Sequence, residues 1–321
     1  MTVWIVGAGR MAEAYGKVLE AGGVDFLVVG RGEETARGFT ERTGHPCRPG
    51  GLDAALAELA PPEAAIVATD VDSLADNGLA LLAAGCRRIL IEKPGGVTPA
   101  EIAALAEATS ASGADVRLGY NRRFYASVLA AEAAIAEDGG AVSMNFEFTE
   151  SVDVVAGLPY APEVKENWLL ANSTHVIDTA FHLAGRPKRL FSAVEGQIAW
   201  HSRAARFAGT GLTENGVLFV YHADWDAPGR WGIEINTRRR RLILRPMEQL
   251  HVQKRGAFTV EPMAIDDDLD RRFKPGLHRQ MAAFLDGEDA GRLLTIGEHL
   301  ARVRTIYESM YRPWGLQEIP T

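Results

Sequence analysis

The strongest constraint on this chain lies in its first twenty residues. A short apolar run, Thr2 to Val6, breaks at Gly7-Ala8-Gly9-Arg10-Met11-Ala12 and passes directly into a helix-patterned stretch that reads to about Ala21. In a strand, turn and helix of this kind, Gly7 permits the tight turn and Gly9 lets the backbone approach a pyrophosphate. The small Ala12 allows the helix to pack closely on the strand, and the helix N-terminus offers N–H donors that the helix itself does not use. A lone GxGxxA turn is a weak signal. Here it gains weight from the succession of segments after it: DFLVVG at 25–30, a helix from about Glu33, AAIVAT at 64–69, a helix from about Asp72, and RRILIE at 87–92. This order predicts an α/β fold whose residues 1–120 form a dinucleotide-binding Rossmann domain, with Gly7, Gly9, Arg10, Met11 and Ala12 against the phosphates.

The end of the second strand bears on which dinucleotide. An enzyme selecting NAD usually places an acid there to accept hydrogen bonds from the ribose 2′-hydroxyl, whereas this chain has Gly30 followed by Arg31. A 2′-phosphate has room beside Gly30 and a guanidinium partner in Arg31, so NADP(H) is favoured over NAD(H). Glu33 and Glu34 keep NAD open, although acids in a helix's first turn commonly serve the helix dipole.

Length and charge limit the remainder. At 321 residues the chain exceeds one ordinary core, which predicts a second domain over 121–321. With 34 Lys and Arg against 42 Asp and Glu, the net charge of −8 supplies no positive field to collect nucleic acid or an anionic membrane. The run Arg238 to Arg241 is read as an exposed hairpin face rather than a phosphate site. Cys47 and Cys86 are far apart and form no metal-ligand spacing, and no apolar stretch approaches the roughly 18 residues needed to span a bilayer. With no signal-like leader, a cytoplasmic protein is expected.

After RRILIE comes Lys93-Pro94, and from about Asn121 the pattern changes to a helix at 124–137 and then alternating segments: VSMNFEFTE (142–150), GVLFVYHADW (216–225) and RWGIEINT (230–237). Alternation of that length reads as antiparallel strands with one face exposed or packed on a partner. Taken in order, GAGRMA at 7–12, EKP at 92–94, GYNRRFY at 119–125 and NSTHVID at 172–178 give the chain its family likeness. It resembles the glucose-fructose oxidoreductase and inositol dehydrogenase (Gfo/Idh/MocA) family over nearly its whole length. The resemblance implies a C-terminal α/β domain with a large, mostly antiparallel open sheet, a last helix (about 293–312) that returns to the first domain, and a homodimer or homotetramer. It further implies that Lys93 lies beside the nicotinamide and touches the reacting oxygen, with Thr69, Glu92 and Pro94 also near the cofactor. Chemistry agrees, because moving a hydride to or from a carbinol carbon requires a group that moves the proton on its oxygen. A lysine at the carboxyl end of a parallel strand stands where such sheets bind ligands.

The stretch from Trp168 to His182 reads as a cap followed by a helix, with Asn172, Ser173 and Thr174 as candidate N-cap residues. Offsets of three and seven put His175, Asp178 and His182 on one helix face. The family carries an Asp four residues before a catalytic His and another three after it. Here His175 and Asp178 match, but the first acid is replaced by Ala171. The expected catalytic pair is therefore Lys93 and His175, with Asp178 orienting His175 or holding structure, Asn172 bonding substrate, and His182 a weaker candidate. No metal is needed for hydride transfer, and this trio makes a poor metal site. Tyr120, Asn121, Arg122, Arg123, Tyr125 and Trp168 suit a hydroxyl-rich ring, and Trp231 is a second candidate wall. Thr69-Asp70-Val71-Asp72 also departs from the Pro and His often found there. The expected reaction is hydride transfer between nicotinamide and a hydroxyl or keto carbon of a sugar, nucleotide-sugar or cyclitol. The alternatives are a redox-neutral sugar enzyme with tightly held cofactor and a non-catalytic nucleotide or sugar sensor.

Overall fold

A computed structural model describes residues 2–312 and 315–319. The chain forms two compact units, Met1–Asn121 with Arg272–Ala301, and Arg122–Arg271 with Arg302–Thr321. The C-terminal stretch in unit 1 is held by its chemistry. Helix Leu277–Leu285 is amphipathic and buries Leu277, Met281 and Phe284, while the Leu118 N–H donates to the Leu294 carbonyl at 2.9 Å. Of residues 293–312, those up to Ala301 belong to unit 1 and those from Arg302 to unit 2.

Unit 1 is built on six parallel strands: β1 (Val3–Val6), β2 (Phe26–Val29), β3 (Cys47–Arg48), β4 (Ala64–Val67), β5 (Arg88–Ile91) and β6 (Asp115–Leu118). Their order is β3-β2-β1-β4-β5-β6. In β1, Val3, Trp4, Ile5 and Val6 are all buried, as expected of a strand covered by helices on both faces. The order reverses between β1 and β4, and a sheet of this type leaves its ligand crevice at the carboxyl ends of those strands.

Unit 2 carries β7 (Ser143–Glu147), β8 (Pro187–Glu195), β9 (Arg206–Thr213), β10 (Leu218–Asp224), β11 (Gly232–Asn236), β12 (Arg240–Leu244), β13 (His251–Lys254), β14 (Glu261–Pro262) and β15 (Gly315–Glu318). Among the described residues they form one sheet in the order β14-β13-β12-β11-β7-β10-β9-β8-β15. Every neighbouring pair is antiparallel except β7 with β10. Strand β10 shows the two faces: Phe219 and Tyr221 are buried, whereas Leu218 and Val220 are 62% and 52% exposed. On the buried face the rings of Phe146 and Phe219 each meet Phe181 of the helix Thr174–Ala184 edge-on, at 5.5 and 5.1 Å. Removing each such ring from water contributes roughly 2 kcal/mol. The Arg238–Arg241 run turns from β11 into β12. Arg238 and Arg239 are exposed, while Arg240 pairs with Asp138 and Glu137 and Arg241 with Glu234.

Candidate active site

In unit 1 the glycine turn fits a dinucleotide. Gly7 has φ +119°, and a Cβ there would lie 2.4 Å from the Ala68 carbonyl oxygen, so only glycine lets β1 turn beside β4. Gly9 caps the helix Arg10–Ala21 without any side-chain cap, and a Cβ on it would meet nothing within 4 Å. With no side-chain cap and open space beside Gly9, this helix start suits a pyrophosphate. Ala12 is fully buried under the helix, while Arg10 is exposed and Met11 half-buried. Packing gives a further reason for the missing acid at the end of β2: a Cβ on Gly30 would stand 2.9 Å from Cys47 Sγ and 3.3 Å from Ala8 Cβ. Arg31, Glu33 and Glu34 are exposed, and among the described residues Arg31 forms no ion pair. Thr69 is half-buried, and its Oγ1 accepts from Asn77 Nδ2 at 3.5 Å.

Lys93 follows β5 in a turn fixed from both sides. The Glu92 N–H donates to Val67 O, and the Gly95 N–H closes the turn on Glu92 O, with Gly95 at φ +84°. The Glu92 side chain points into the unit, where its carboxylate accepts from the Tyr15 hydroxyl at 2.6 Å. Burial raises the Glu92 pKa, and the Tyr15 hydrogen bond and the nearby Lys93 and Lys274 charges offset part of that rise. His299 Nε2 donates to the Pro94 carbonyl at 2.9 Å, and the His299 ring lies 5.6 Å from that of buried Tyr120. Asn121 is buried and donates to the Pro275 carbonyl at 3.0 Å, so its amide is engaged within the unit.

Unit 2 holds a cavity of about 270 Å³ bordered by Arg122, Thr149, Glu150, Ser151, Trp231 and Met247. Its most unusual member is Glu150, which is 9% exposed. The Glu150 carboxylate accepts from Ser173 Oγ at 2.8 Å and from Asn172 Nδ2 at 3.1 Å. Burial drives its pKa up to about 7; the bonds from Ser173 and Asn172 and the Trp168 and Trp231 indoles pull in the other direction. A carboxyl poised there donates a hydrogen bond to a carbonyl oxygen when protonated and accepts one from a hydroxyl when ionised. The donors come from a π-helical turn, Leu169–Ser173, that leads into the helix Thr174–Ala184. Helical backbone thus begins before Asn172, and the trio read as caps acts otherwise. Asn172 and Ser173 serve Glu150, and Thr174 donates to Leu170 O. A buried carboxyl needs donors, and these are the polar side chains within reach.

The other candidates in unit 2 are dispersed. His175 is buried, with its ring 6.2 Å from that of Trp231. Asp178 is directed away from that role, since its two oxygens take a fork from Arg123 at 2.7 and 2.8 Å and a third bond from Arg302 at 3.1 Å. His182 pairs with Glu132 at 2.8 Å. Arg122 is held differently from its neighbour Arg123: its guanidinium lies 4.9 Å over the Trp231 ring and 5.7 Å over that of Tyr125. Trp168 is buried, tilted against Tyr160 and edge-on to Trp200.

A known family matches the first 120 residues in sequence, and solved structures match the whole chain in fold. Residues 1–120 match the model of the oxidoreductase family with an NAD-binding Rossmann fold, GFO_IDH_MocA. Residues 1–120 belong to this oxidoreductase family. Solved structures show the same fold across both units. An oxidoreductase from Agrobacterium radiobacter, in complex with NAD+, L-tartaric acid and magnesium, is 16% identical with a TM-score of 0.80, over 99% of this chain and 98% of its own. A levoglucosan dehydrogenase in complex with NADH and L-sorbose is 16% identical with a TM-score of 0.79, over 100% and 99%. UDP-N-acetylglucosamine 3-dehydrogenase from Acidithiobacillus ferrooxidans is 16% identical with a TM-score of 0.72, over 97% and 96%. No curated protein matches the chain in sequence. Among the described residues, no helix is long and apolar enough to cross a membrane.

Glu150 is the residue that sequence reasoning missed, although a signal for it existed. The period of two along β7 and beyond puts Glu150 in phase with Met144, Phe146 and Phe148, all of which are buried. An acid on a core-facing phase is a group that the fold must desolvate.

Proposed function

We propose that the chain is a nicotinamide-dependent dehydrogenase or ketoreductase that acts on a hydroxyl or keto carbon of a sugar-like ring. The observation that carries this reading is Lys93, fixed just beyond β5 in a Rossmann unit whose glycine turn and uncapped helix suit a dinucleotide. The bound nicotinamide supplies the hydride acceptor or donor. Gly7, Gly9 and the first turn of helix Arg10–Ala21 hold the pyrophosphate, and Arg31 takes a 2′-phosphate, which favours NADP(H). Lys93 moves the proton on the reacting oxygen. In unit 2, Glu150, Arg122 and Trp231 bind the ring, and His175, whose ring lies 6.2 Å from that of Trp231, is the second proton-handling group. The tartaric acid and sorbose bound in two similar structures, and the nucleotide sugar in the name of a third, are all hydroxyl-bearing and support this substrate class. The exposed Leu218 and Val220 on β10 favour a homo-oligomer formed through the sheet. Two free thiols, Cys47 and Cys86, suit the cytoplasm.

The test is Lys93→Met, with dinucleotide binding read by nicotinamide fluorescence and turnover by absorbance. Binding of NADPH is expected to persist, with NADH weaker and Arg31→Ala narrowing the gap. Turnover of whichever sugar the wild type accepts is expected to fall by about 10²- to 10⁴-fold. Absence of dinucleotide binding in the wild type, or full turnover in Lys93→Met, would refute the reading.

A further inference from the structure

The two neighbouring arginines of the Asn121–Phe124 turn are treated in opposite ways by the fold. Arg123 is buried with a full complement of carboxylate oxygen from Asp178. Arg122 lies at the cavity wall with its guanidinium near the rings of both Trp231 and Tyr125, and among the described residues it makes no ion pair. Its Nε is buried and meets no acceptor. Contact with an aromatic ring occupies a guanidinium's face and leaves its N–H edge able to bond. A charge held in this way, part-desolvated and without a counter-ion, carries a cost that a bound oxyanion removes.

The other charged groups at the cavity do not fill that need. Glu150 is turned toward Ser173 and Asn172, and its burial favours the protonated form, so it is not a full counter-charge to Arg122. Arg230 and Glu248 also border the cavity, and both are exposed to solvent. The volume of about 270 Å³ is that of a site for a small ligand such as one ring with its substituents.

We propose that the ring bound in this cavity carries an anionic substituent, a carboxylate or a phosphate ester, and that Arg122 binds it. This deepens the reading above and rests on unit 2 being the substrate-binding unit. Glu150 then meets the ring hydroxyls, while the anion lies along the guanidinium edge.

The experiment is calorimetric titration of the full chain, with NADPH present, using four probes: D-glucuronate, D-glucuronamide, D-glucose 6-phosphate and D-glucose. One of the two anions is expected to bind about ten- to a hundredfold more tightly than D-glucose, the range of one charge-assisted hydrogen-bonded contact. Preference for glucuronate over its isosteric amide identifies a carboxylate, and preference for the phosphate ester identifies a phosphate. Arg122→Met is expected to abolish the preference and Arg122→Lys to reduce it, because an ammonium lacks the planar fork. The comparison of glucuronate with glucuronamide needs only the wild-type protein, so it stands even where an Arg122 variant fails to fold. Equal affinity for acid, amide, phosphate and neutral sugar, or no binding of any of them, overturns the proposal. Neither result touches dinucleotide binding or the Lys93→Met test, so failure here is distinguishable from failure of the dehydrogenase reading.

Discussion

Glu150 carries a stability signature that pH can read. Its pKa stands at about 7 in the folded chain against an ordinary value of 4.5, so the native state holds a proton that the unfolded chain has already released between those values. The associated stability is fully present below about pH 4.5 and is lost as pH rises through about 7. Thermal midpoints followed by circular dichroism should therefore contain a component that declines across that window in the wild type and is missing in Glu150→Gln. An unchanged slope in the variant would mean that another group titrates there. Glu150 is bonded to Asn172 and Ser173, the two residues that follow Ala171. The carboxyl at the cavity therefore comes from the chain just past β7.

At the scale of elements, Asp178 ties together the turn Asn121–Phe124, the helix Thr174–Ala184 and Arg302. Burial by itself raises its pKa, but the charges and hydrogen bonds of Arg123 and Arg302 outweigh that and hold it at about 2. The stability it confers is present above the ordinary value of 3.8 and is lost as pH falls through about 2. Asp178→Asn leaves Arg123 buried without its counter-ion and is expected to cost about 3–5 kcal/mol in urea denaturation at neutral pH. A loss under 1 kcal/mol would show that solvent reaches Arg123 and that the junction is not a buried ion pair. The helix periodicity that grouped His175, Asp178 and His182 was legible in sequence, yet it did not distinguish their partners. Offsets of three and seven place residues on a common side, but the Arg123 fork and Glu132 come from other segments and decide what each side chain does.

At the scale of the molecule, the nine-stranded sheet leaves Leu218 and Val220 of β10 exposed on the face opposite buried Phe219 and Tyr221. If this face joins copies of the chain, Leu218→Lys with Val220→Lys should reduce the sedimenting mass to that of one chain, with little change in melting temperature. A wild type that is already monomeric, or a variant that keeps its assembly, would remove the sheet from that role. The Rossmann order of unit 1, the turn at Gly7 to Ala12, the position of Lys93 and the antiparallel character of the second sheet were all determined by local rules: glycine conformational freedom, the period of two and the succession of strand and helix patterns. The sorting of Arg122 from Arg123, the commitment of Asp178 and His182 to ion pairs, the placement of Arg272–Ala301 in unit 1 and the burial of Glu150 were decided only by the tertiary structure. Each depends on which distant groups arrive within about 3 Å of a charge, and in a low-dielectric interior that proximity sets whether a side chain is structural or available to a ligand.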